Sequence, residues 1–205
     1  MSRSNYLSEI RQSIVNSENG TVFVSVDFAN ITDKKNVNMA LMRLEKEKLI
    51  IRIMRGVYYK AEFSKFLQEY VAPDPDKVAH AIARNLGWTI VPCGDTALNL
   101  LGLSTQVPAV WSYVSDGRYK EYSYNNTKIC FKRTTNKEIS KLSYKTALVV
   151  QALRALGKND ITPNIINRLK NNLTDKEKAD ALIEASAATS WIYEHIKQIC
   201  RSTNK

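Results

Sequence analysis

The chain has 205 residues and a formal net charge of +10 at neutral pH, with 30 basic against 20 acidic side chains. That length is enough for one large domain or two small domains, each with its own core. The charge favours a polyanion as partner, and the basic excess is greatest in residues 141–205. Because signal-like features and long apolar runs are both missing, we expect a soluble, cytoplasmic protein with no membrane partner.

The cysteines predict neither a disulfide framework nor a metal site. Cys93, Cys130 and Cys200 are far apart and odd in number, and the two histidines are near none of them in the sequence. We therefore expect reduced thiols, no bound metal and no cofactor. Cys93 and Cys130 belong to apolar runs and are expected to fill the core.

The first 31 residues predict a small mixed module. An amphipathic helix is expected from about residue 4 to the stop signal at 19–20. A short strand at 21–24 follows, and Ser25 is predicted to cap a small helix at 26–29.

The segment from Thr32 to Lys60 carries the main functional signal. Its helix places apolar residues at helical spacing on one face (Val37, Ala40, Leu41 and Leu44), with Thr32 or Asp33 as the N-cap. Two β-prone runs, 49–54 and 57–60, flank Arg55-Gly56, which predicts a hairpin tip. A helix with basic and amide side chains outward, followed by a basic hairpin, suits a DNA groove and its flanking phosphates. The candidate DNA-binding residues are Lys34, Lys35, Asn36, Asn38, Met39, Arg43, Lys46, Arg52, Arg55 and Lys60.

The predicted fold class is α+β. The order helix, strand, helix, turn, helix, hairpin indicates a winged helix-turn-helix over residues 1–62, and a small α/β module with a merely solvated charged face is the alternative. Residues 63–75 are the expected connector, helix-like over 63–71 and then broken by prolines. Residues 76–205 form the expected second domain, with an α+β core to about 140 and a helical portion at 143–200.

Within that second domain, helix-stop and capping residues predict a helix ending at Gly87 and a short helix from 96 to 101 with Asp95 as its N-cap. A strand is expected between them, at 89–93. Strands at 110–115 and 119–124 are expected to pair antiparallel across a tight turn at Asp116-Gly117. A third strand follows at 128–133.

The remaining residues predict three helices. One covers 147–156, and the second begins after Thr162-Pro163. The last opens at a capping box, Thr174 to Glu177, and carries one apolar stripe from Leu182 to Ile199.

Two segments resemble a known family. Residues 94–108, GDTALNLLGLSTQVP, together with Arg55-Gly56-Val57-Tyr58-Tyr59, are similar to the AbiEi antitoxins of type IV, abortive-infection toxin–antitoxin systems. The resemblance spans about residues 23–133. It implies a winged-helix N-terminal domain that represses its own operon and a C-terminal domain needed to neutralise a nucleotidyltransferase-like toxin. By position, it implies DNA contacts at Lys35, Asn36, Arg43 and Arg55.

The matched motif provides a second set of candidates: Thr96, Leu101, Gly102, Thr105 and Gln106. Leu101 is expected in the core and Gly102 at a helix stop, whereas Thr105 and Gln106 are either structural hydrogen-bonding groups or partner contacts. The expected partners are the toxin and double-stranded DNA of the protein's own promoter. On that DNA, a possible homodimer would bind an inverted repeat. Whether the toxin is contacted directly stays open.

An enzyme and a ligand-sensing regulator are the two competing functions. An enzyme is not expected, because nucleotide transfer needs a Gly-Ser turn and spaced carboxylates for Mg²⁺, whereas Asp74-Pro75-Asp76 is in a proline-broken stretch. P-loop and dinucleotide glycine motifs are also missing. A transcriptional regulator whose C-terminal domain senses a small ligand remains the alternative.

Overall fold

The computed structural model describes residues 5–134, 139 and 141–201. Contacts divide the chain into two compact units, an N-terminal unit ending at Trp88 and a C-terminal unit beginning at Thr89. Both units contain helices and strands, so the protein is of the α+β class. The N-terminal unit comprises α1 (Tyr6–Asn16), β1 (Val22–Val24), a 3-10 turn (Ser25–Phe28), α2 (Lys34–Lys46), β2 (Ile51–Met54), β3 (Val57–Tyr59), β4 (Phe63–Ser64), β5 (Glu69–Tyr70) and α3 (Pro75–Leu86).

The unit boundary is later in the chain than the connector predicted at 63–75. Helix α3, which begins at Pro75, packs against β1 and β3 and therefore belongs to the N-terminal unit. Asp74 is its N-cap, since the Asp74 carboxylate accepts the backbone N–H of Asp76. Gly87 ends it at a φ of +68°, the left-handed conformation that glycine adopts without strain.

The core of the N-terminal unit is built on α2. Its predicted apolar face is confirmed, because Val37, Ala40, Leu41 and Leu44 are all buried. They pack with Ile10 and Ile14 of α1, Phe23, Phe28, Ile50 and Tyr58. Because one face of α2 is committed to this core, its polar face is held toward solvent.

Helix α2 begins at a strong N-cap. The Asp33 carboxylate accepts the backbone N–H groups of Lys35 (2.9 Å) and Asn36 (3.0 Å), so Asp33 rather than Thr32 is the cap. Replacing Asp33 with alanine is expected to destabilise the N-terminal unit by about 1 kcal/mol, because those two N–H groups lose their acceptor. Urea unfolding would measure the change, and Asp33→Asn, which keeps an acceptor oxygen, should retain most of the stability.

The three-stranded sheet of the N-terminal unit has the order β1-β3-β2, with all pairs antiparallel. Gly56 forms the predicted β2–β3 hairpin tip at a φ of +78°. The register shifts between Arg52 and Met54, which marks a β-bulge. A bulge twists the strand locally and re-aims its side chains, here beside Arg52.

Two local predictions for this unit are wrong. Ser25 does not cap the small helix but is its first residue, while the Asp27 carboxylate accepts the backbone N–H of Val24. Residues 63–71 form the β4–β5 hairpin instead of a helix. The rings of Phe63 and Tyr70 meet edge to face across the pair at 5.3 Å, and Gln68 turns the chain at a φ of +55°. Phe66 at the tip is 92% exposed.

The C-terminal unit comprises β6 (Ile90–Pro92), α4 (Asp95–Leu100), β7 (Trp111–Ser115), β8 (Lys120–Tyr124), β9 (Thr127–Arg133), α5 (Tyr144–Leu156), α6 (Pro163–Asn171), α7 (Asp175–Glu184), a 3-10 turn (Ala185–Ala187) and α8 (Ser190–Cys200). Helix α5 is buried along most of its length and packs against α4, α7, α8 and β6. Asp95 is the first residue of α4 rather than its N-cap, a position that Gly94 takes.

The sheet of this unit has the order β6-β7-β9-β8, which corrects the predicted pairing. Strand β9 lies between β7 and β8, parallel to β7 and antiparallel to β8. The tight hairpin is therefore at Asn125-Asn126, with Asn125 at a φ of +46°. Asp116-Gly117 starts a longer connection, in which the Asp116 carboxylate accepts the backbone N–H of Thr89.

The predicted last helix is two helices. The capping box is confirmed, since Thr174 Oγ1 accepts the Glu177 N–H and the Glu177 carboxylate accepts the Thr174 N–H. Helix α7 then ends at Glu184, and α8 packs back against it. The residues of the long apolar stripe are therefore divided between two helices that pack in the same core. Ala185, Ile192, Ile196 and Ile199 are buried there.

Candidate nucleic-acid interface

The outward face of α2 carries most of the predicted DNA-binding residues. The predicted members that are exposed on this helix are Lys34, Lys35, Asn38, Met39, Arg43 and Lys46. Met42, outside the predicted set, is also exposed on that face, at 49%. The helix therefore presents cations, an amide and two thioethers to solvent in one continuous strip.

The strip borders a groove of about 500 Å³, which we call the α2–hairpin groove. Helix α2 contributes Lys34, Asn38 and Met42 to its lining, and the β2–β3 hairpin contributes Arg52, Arg55 and Tyr58. Predicted contacts from the helix and from the hairpin thus meet in one concave surface. The side chains on this surface carry three positive charges.

A shallower depression of about 180 Å³ lies further along α2, lined by Met39, Met42, Arg43 and Lys46. Met42 lines both hollows, so the two adjoin along the helix. Arg and Lys beside exposed apolar groups can contact phosphates and thymine methyl groups together. The combined surface extends from Lys34 to Lys46.

Two of the predicted contacts are engaged in local structure. Asn36 is half-buried, and its Nδ2 donates to Asp33 Oδ2 (2.8 Å) and Thr32 Oγ1 (3.3 Å) at the start of α2. Lys60 Nζ donates to the carbonyls of Val15 (2.8 Å) and Ser17 (2.7 Å), where its charge complements the C-terminal end of α1. Neither residue lines the α2–hairpin groove.

Sequence reasoning missed Ser25, Tyr58 and Asn85, which also line the groove. Ser25 is buried, and its hydroxyl donates to Asn85 Oδ1 at 3.2 Å. Tyr58 is buried too, and burial raises the pKa of its hydroxyl while the Arg52 charge lowers it. The local pattern held no signal for Asn85, because it lies on α3, 60 residues from Ser25.

In the second candidate set, Thr96, Leu101 and Gly102 have structural environments. Thr96 is fully buried and its hydroxyl accepts the Ser112 N–H at 2.8 Å, which ties α4 to β7. Leu101 is buried, and Gly102 ends the helix at a φ of +64°. The loop after it is exposed at Thr105 and Gln106 and is pinned where Asn99 Nδ2 donates to the Gln106 carbonyl at 2.9 Å.

Within the part of the chain that the structure describes, no group of three or more His, Cys, Asp or Glu is arranged to hold a metal ion. In the same residues, no helix combines the length and apolar character needed to cross a bilayer. All three cysteines are buried and free, and the burial of Cys93 and Cys130 agrees with their predicted place in the core.

The buried thiols lead to a prediction of low reactivity. Burial raises the pKa of Cys93 and of Cys200, and the thiolate is the reactive form. Native protein is expected to react with a thiol reagent such as DTNB at least about tenfold more slowly than protein unfolded in urea. Fast release of one equivalent of thionitrobenzoate per chain from the native protein would contradict this expectation.

Together, the fold and surface describe an α+β protein of two units whose N-terminal unit bears a basic helix and hairpin. The chain belongs to the family of unknown function DUF6088, which it matches over residues 9–182. No curated protein is similar enough in sequence to count as a match. Among solved structures, it is similar to the RV2827C protein from Mycobacterium tuberculosis, with 11% identity and a TM-score of 0.41 over 96% of this chain and 76% of that chain.

Proposed function

We propose that the N-terminal unit is a winged helix-turn-helix that binds double-stranded DNA, with α2 as the recognition helix and the β2–β3 hairpin as the wing. The order of helices and strands supports this, as does the antiparallel sheet β1-β3-β2 that joins the first strand to the wing. The observation that carries the proposal is the meeting of Lys34, Arg52 and Arg55 in one groove. Cations from helix and wing then reach the DNA together.

The division of labour on DNA follows from the chemistry of the side chains. Lys and Arg that contact phosphates do so without regard to sequence, whereas amides, apolar groups and arginine on a helix in the major groove read base edges. In this assignment Asn38 reads an adenine, and Met39 and Met42 contact thymine methyl groups. A single winged helix covers little DNA, so a homodimer on an inverted repeat is the expected complex.

The biological role that we propose is that of a cytoplasmic, non-enzymatic antitoxin. It represses its own toxin–antitoxin operon and neutralises a nucleotidyltransferase-like toxin. This part rests on the resemblance of residues 55–59 and 94–108 to the AbiEi antitoxins. The exposed, pinned loop around Gln106 offers the C-terminal unit a surface for a partner.

The test is a salt-dependent binding titration of the full chain on its own upstream DNA and on a scrambled duplex. We expect selective binding to the upstream DNA that weakens with salt, with about 0.9 units of slope in log K against log salt for each neutralised phosphate. Equal binding to both duplexes, or none, would overturn the proposal. Selective binding without rescue from the neighbouring toxin would instead favour a transcriptional regulator.

A further inference from the structure

The α2–hairpin groove has the composition of an anion site. Lys34, Arg52 and Arg55 line it, and no acidic residue is among the described residues that do so. Glu45 is close enough to Tyr58 to act on it electrostatically. A concave surface with three cations and several hydroxyl and amide groups favours a ligand rich in acceptor oxygens.

The inner wall of the groove is preorganised by a contact that a DNA-binding helix and wing do not require. The Ser25 hydroxyl donates to Asn85 Oδ1 at 3.2 Å, and Ser25 is only 6% exposed. In this arrangement Asn85 Oδ1 accepts the Ser25 hydroxyl, and Nδ2 is a donor available to a ligand acceptor. Among the hydrogen bonds of the described residues, none uses Asn85 Nδ2.

The hairpin side of the groove is oriented in a similar way. Arg52 Nε donates to the Met54 carbonyl at 3.4 Å, beside the β-bulge. Its two terminal nitrogens are then left for a forked contact, the geometry with which arginine binds phosphate oxygens. Tyr58, with its hydroxyl kept protonated at neutral pH, lies between this side and the core.

The size of the groove narrows the class of ligand. A volume of about 500 Å³ exceeds what an isolated phosphate ion needs and falls within the usual range of small-molecule sites, roughly 300–1,000 Å³. A phosphate attached to a sugar and base fits both the volume and the mix of cations, amides and a thioether in the lining. The shared chemistry is therefore that of a nucleotide phosphate.

We propose that the α2–hairpin groove binds one nucleotide phosphate group, with Asn85 of α3 as a positioning residue on its inner wall. Two sources can supply that group: the backbone of bound DNA, which rests on the function proposed above, or a free mononucleotide, which does not. A free mononucleotide in the groove excludes the DNA backbone from it. Cellular nucleotide would then lower the occupancy of the operator.

The test uses isotope-labelled full chain, with inorganic phosphate, deoxythymidine 5′-monophosphate and the upstream duplex as probes. The readout is the NMR shift of the side-chain amides of Asn38 and Asn85 at constant ionic strength, with chloride as the blank. A shift of the Asn85 amide with the duplex alone identifies the DNA backbone as the source, whereas a shift confined to Asn38 is base contact and overturns the site. Shifts with the mononucleotide, together with displacement of the duplex, identify free nucleotide as a second source.

The role of Asn85 on the inner wall of the groove is tested with the variant Asn85→Asp. It keeps the shape and the oxygen that accepts the Ser25 hydroxyl, but replaces the donor with a negative charge. We expect binding of whichever probe shifts the wild type to weaken about tenfold or more, because like charges at close range repel. Asn85→Ala should weaken it about threefold, and Glu45→Gln, which removes the nearby acidic charge, should leave it unchanged or tighten it.

The outcomes separate this inference from the proposed function. Selective DNA binding that Asn85→Asp and Asn85→Ala leave unchanged would overturn the phosphate site while leaving the DNA-binding proposal intact. Mononucleotide shifts at Asn38 and Asn85 without DNA binding would support the site and overturn the function. No shift with any of the three probes would overturn the site. Unchanged circular dichroism and Tm of the variants guard against a folding defect.

Discussion

Replacing Arg55 or Arg43 with alanine is expected to weaken binding to the upstream DNA by about 5- to 30-fold each, equivalent to roughly 1–2 kcal/mol. Arg55 is exposed at the hairpin tip, and Arg43 is exposed on α2 beside Met39 and Met42. Neither residue contributes to the buried core. The loss therefore reflects contacts with DNA rather than unfolding, and it is measured by anisotropy titration at fixed salt.

The salt dependence separates the two kinds of contact. A residue that only neutralises a phosphate should lower the slope of log K against log salt by about 1 and weaken all duplexes alike. A residue that reads a base should reduce the preference for upstream over scrambled DNA. We expect the first behaviour for Arg55 on the wing and the second for Arg43 on α2.

Lys158→Ala is the matched control, because it removes the same charge from an exposed residue of the C-terminal unit. Its DNA affinity should remain within about twofold of wild type, because Lys158 is not part of the proposed contact surface. Unchanged affinity in both Arg43→Ala and Arg55→Ala would refute our assignment of the contact surface. An equal loss in Lys158→Ala would mean that net charge, rather than this surface, drives binding.

The elements that sequence reasoning located correctly carry their signals locally. Helix α2 has an N-cap at Asp33, an apolar face at helical spacing, and a glycine at the hairpin tip beyond it. Each signal is contained within a few residues, so a linear reading finds it. The outward face then follows from the buried one by geometry alone.

The errors arose where spacing misleads or where pairing is long-range. The apolar residues Phe63, Phe66, Leu67, Tyr70 and Val71 have helical spacing, yet they form a hairpin in which all five are exposed. The placement of β9 between β7 and β8 depends on a parallel pair, which turn residues do not encode. In both cases the local pattern is present in the sequence, but it does not determine the structure.

Only part of the candidate site could be predicted from the sequence, for the same reason. Its cations stand out in the sequence, but Asn85 joins them only because α3 packs in the N-terminal unit. Conversely, Lys60 and Asn36 look like contacts in the sequence, and only the fold reveals their backbone and capping partners. Residue type therefore predicted the positive charge of the surface, whereas the fold was needed to identify the inner wall of the α2–hairpin groove.

Replacing Leu41 with alanine is expected to destabilise the N-terminal unit by about 3 kcal/mol, whereas Met42→Ala, one residue further, should cost less than about 0.5 kcal/mol. Leu41 is fully buried in the core beneath α2, and Met42 is 49% exposed over the groove. A cavity forms in the first case, while the second removes only surface contact.

The pair also separates stability from recognition. Native-state hydrogen exchange in α2 reads the stability of the N-terminal unit by itself. Leu41→Ala should accelerate exchange there while leaving binding near wild type whenever the unit is folded. Met42→Ala should leave exchange unchanged and weaken DNA binding about threefold, because its thioether is lost from the contact surface. The reverse pattern would place the core on the wrong face of α2, and the whole assignment of the DNA-facing strip would fail with it.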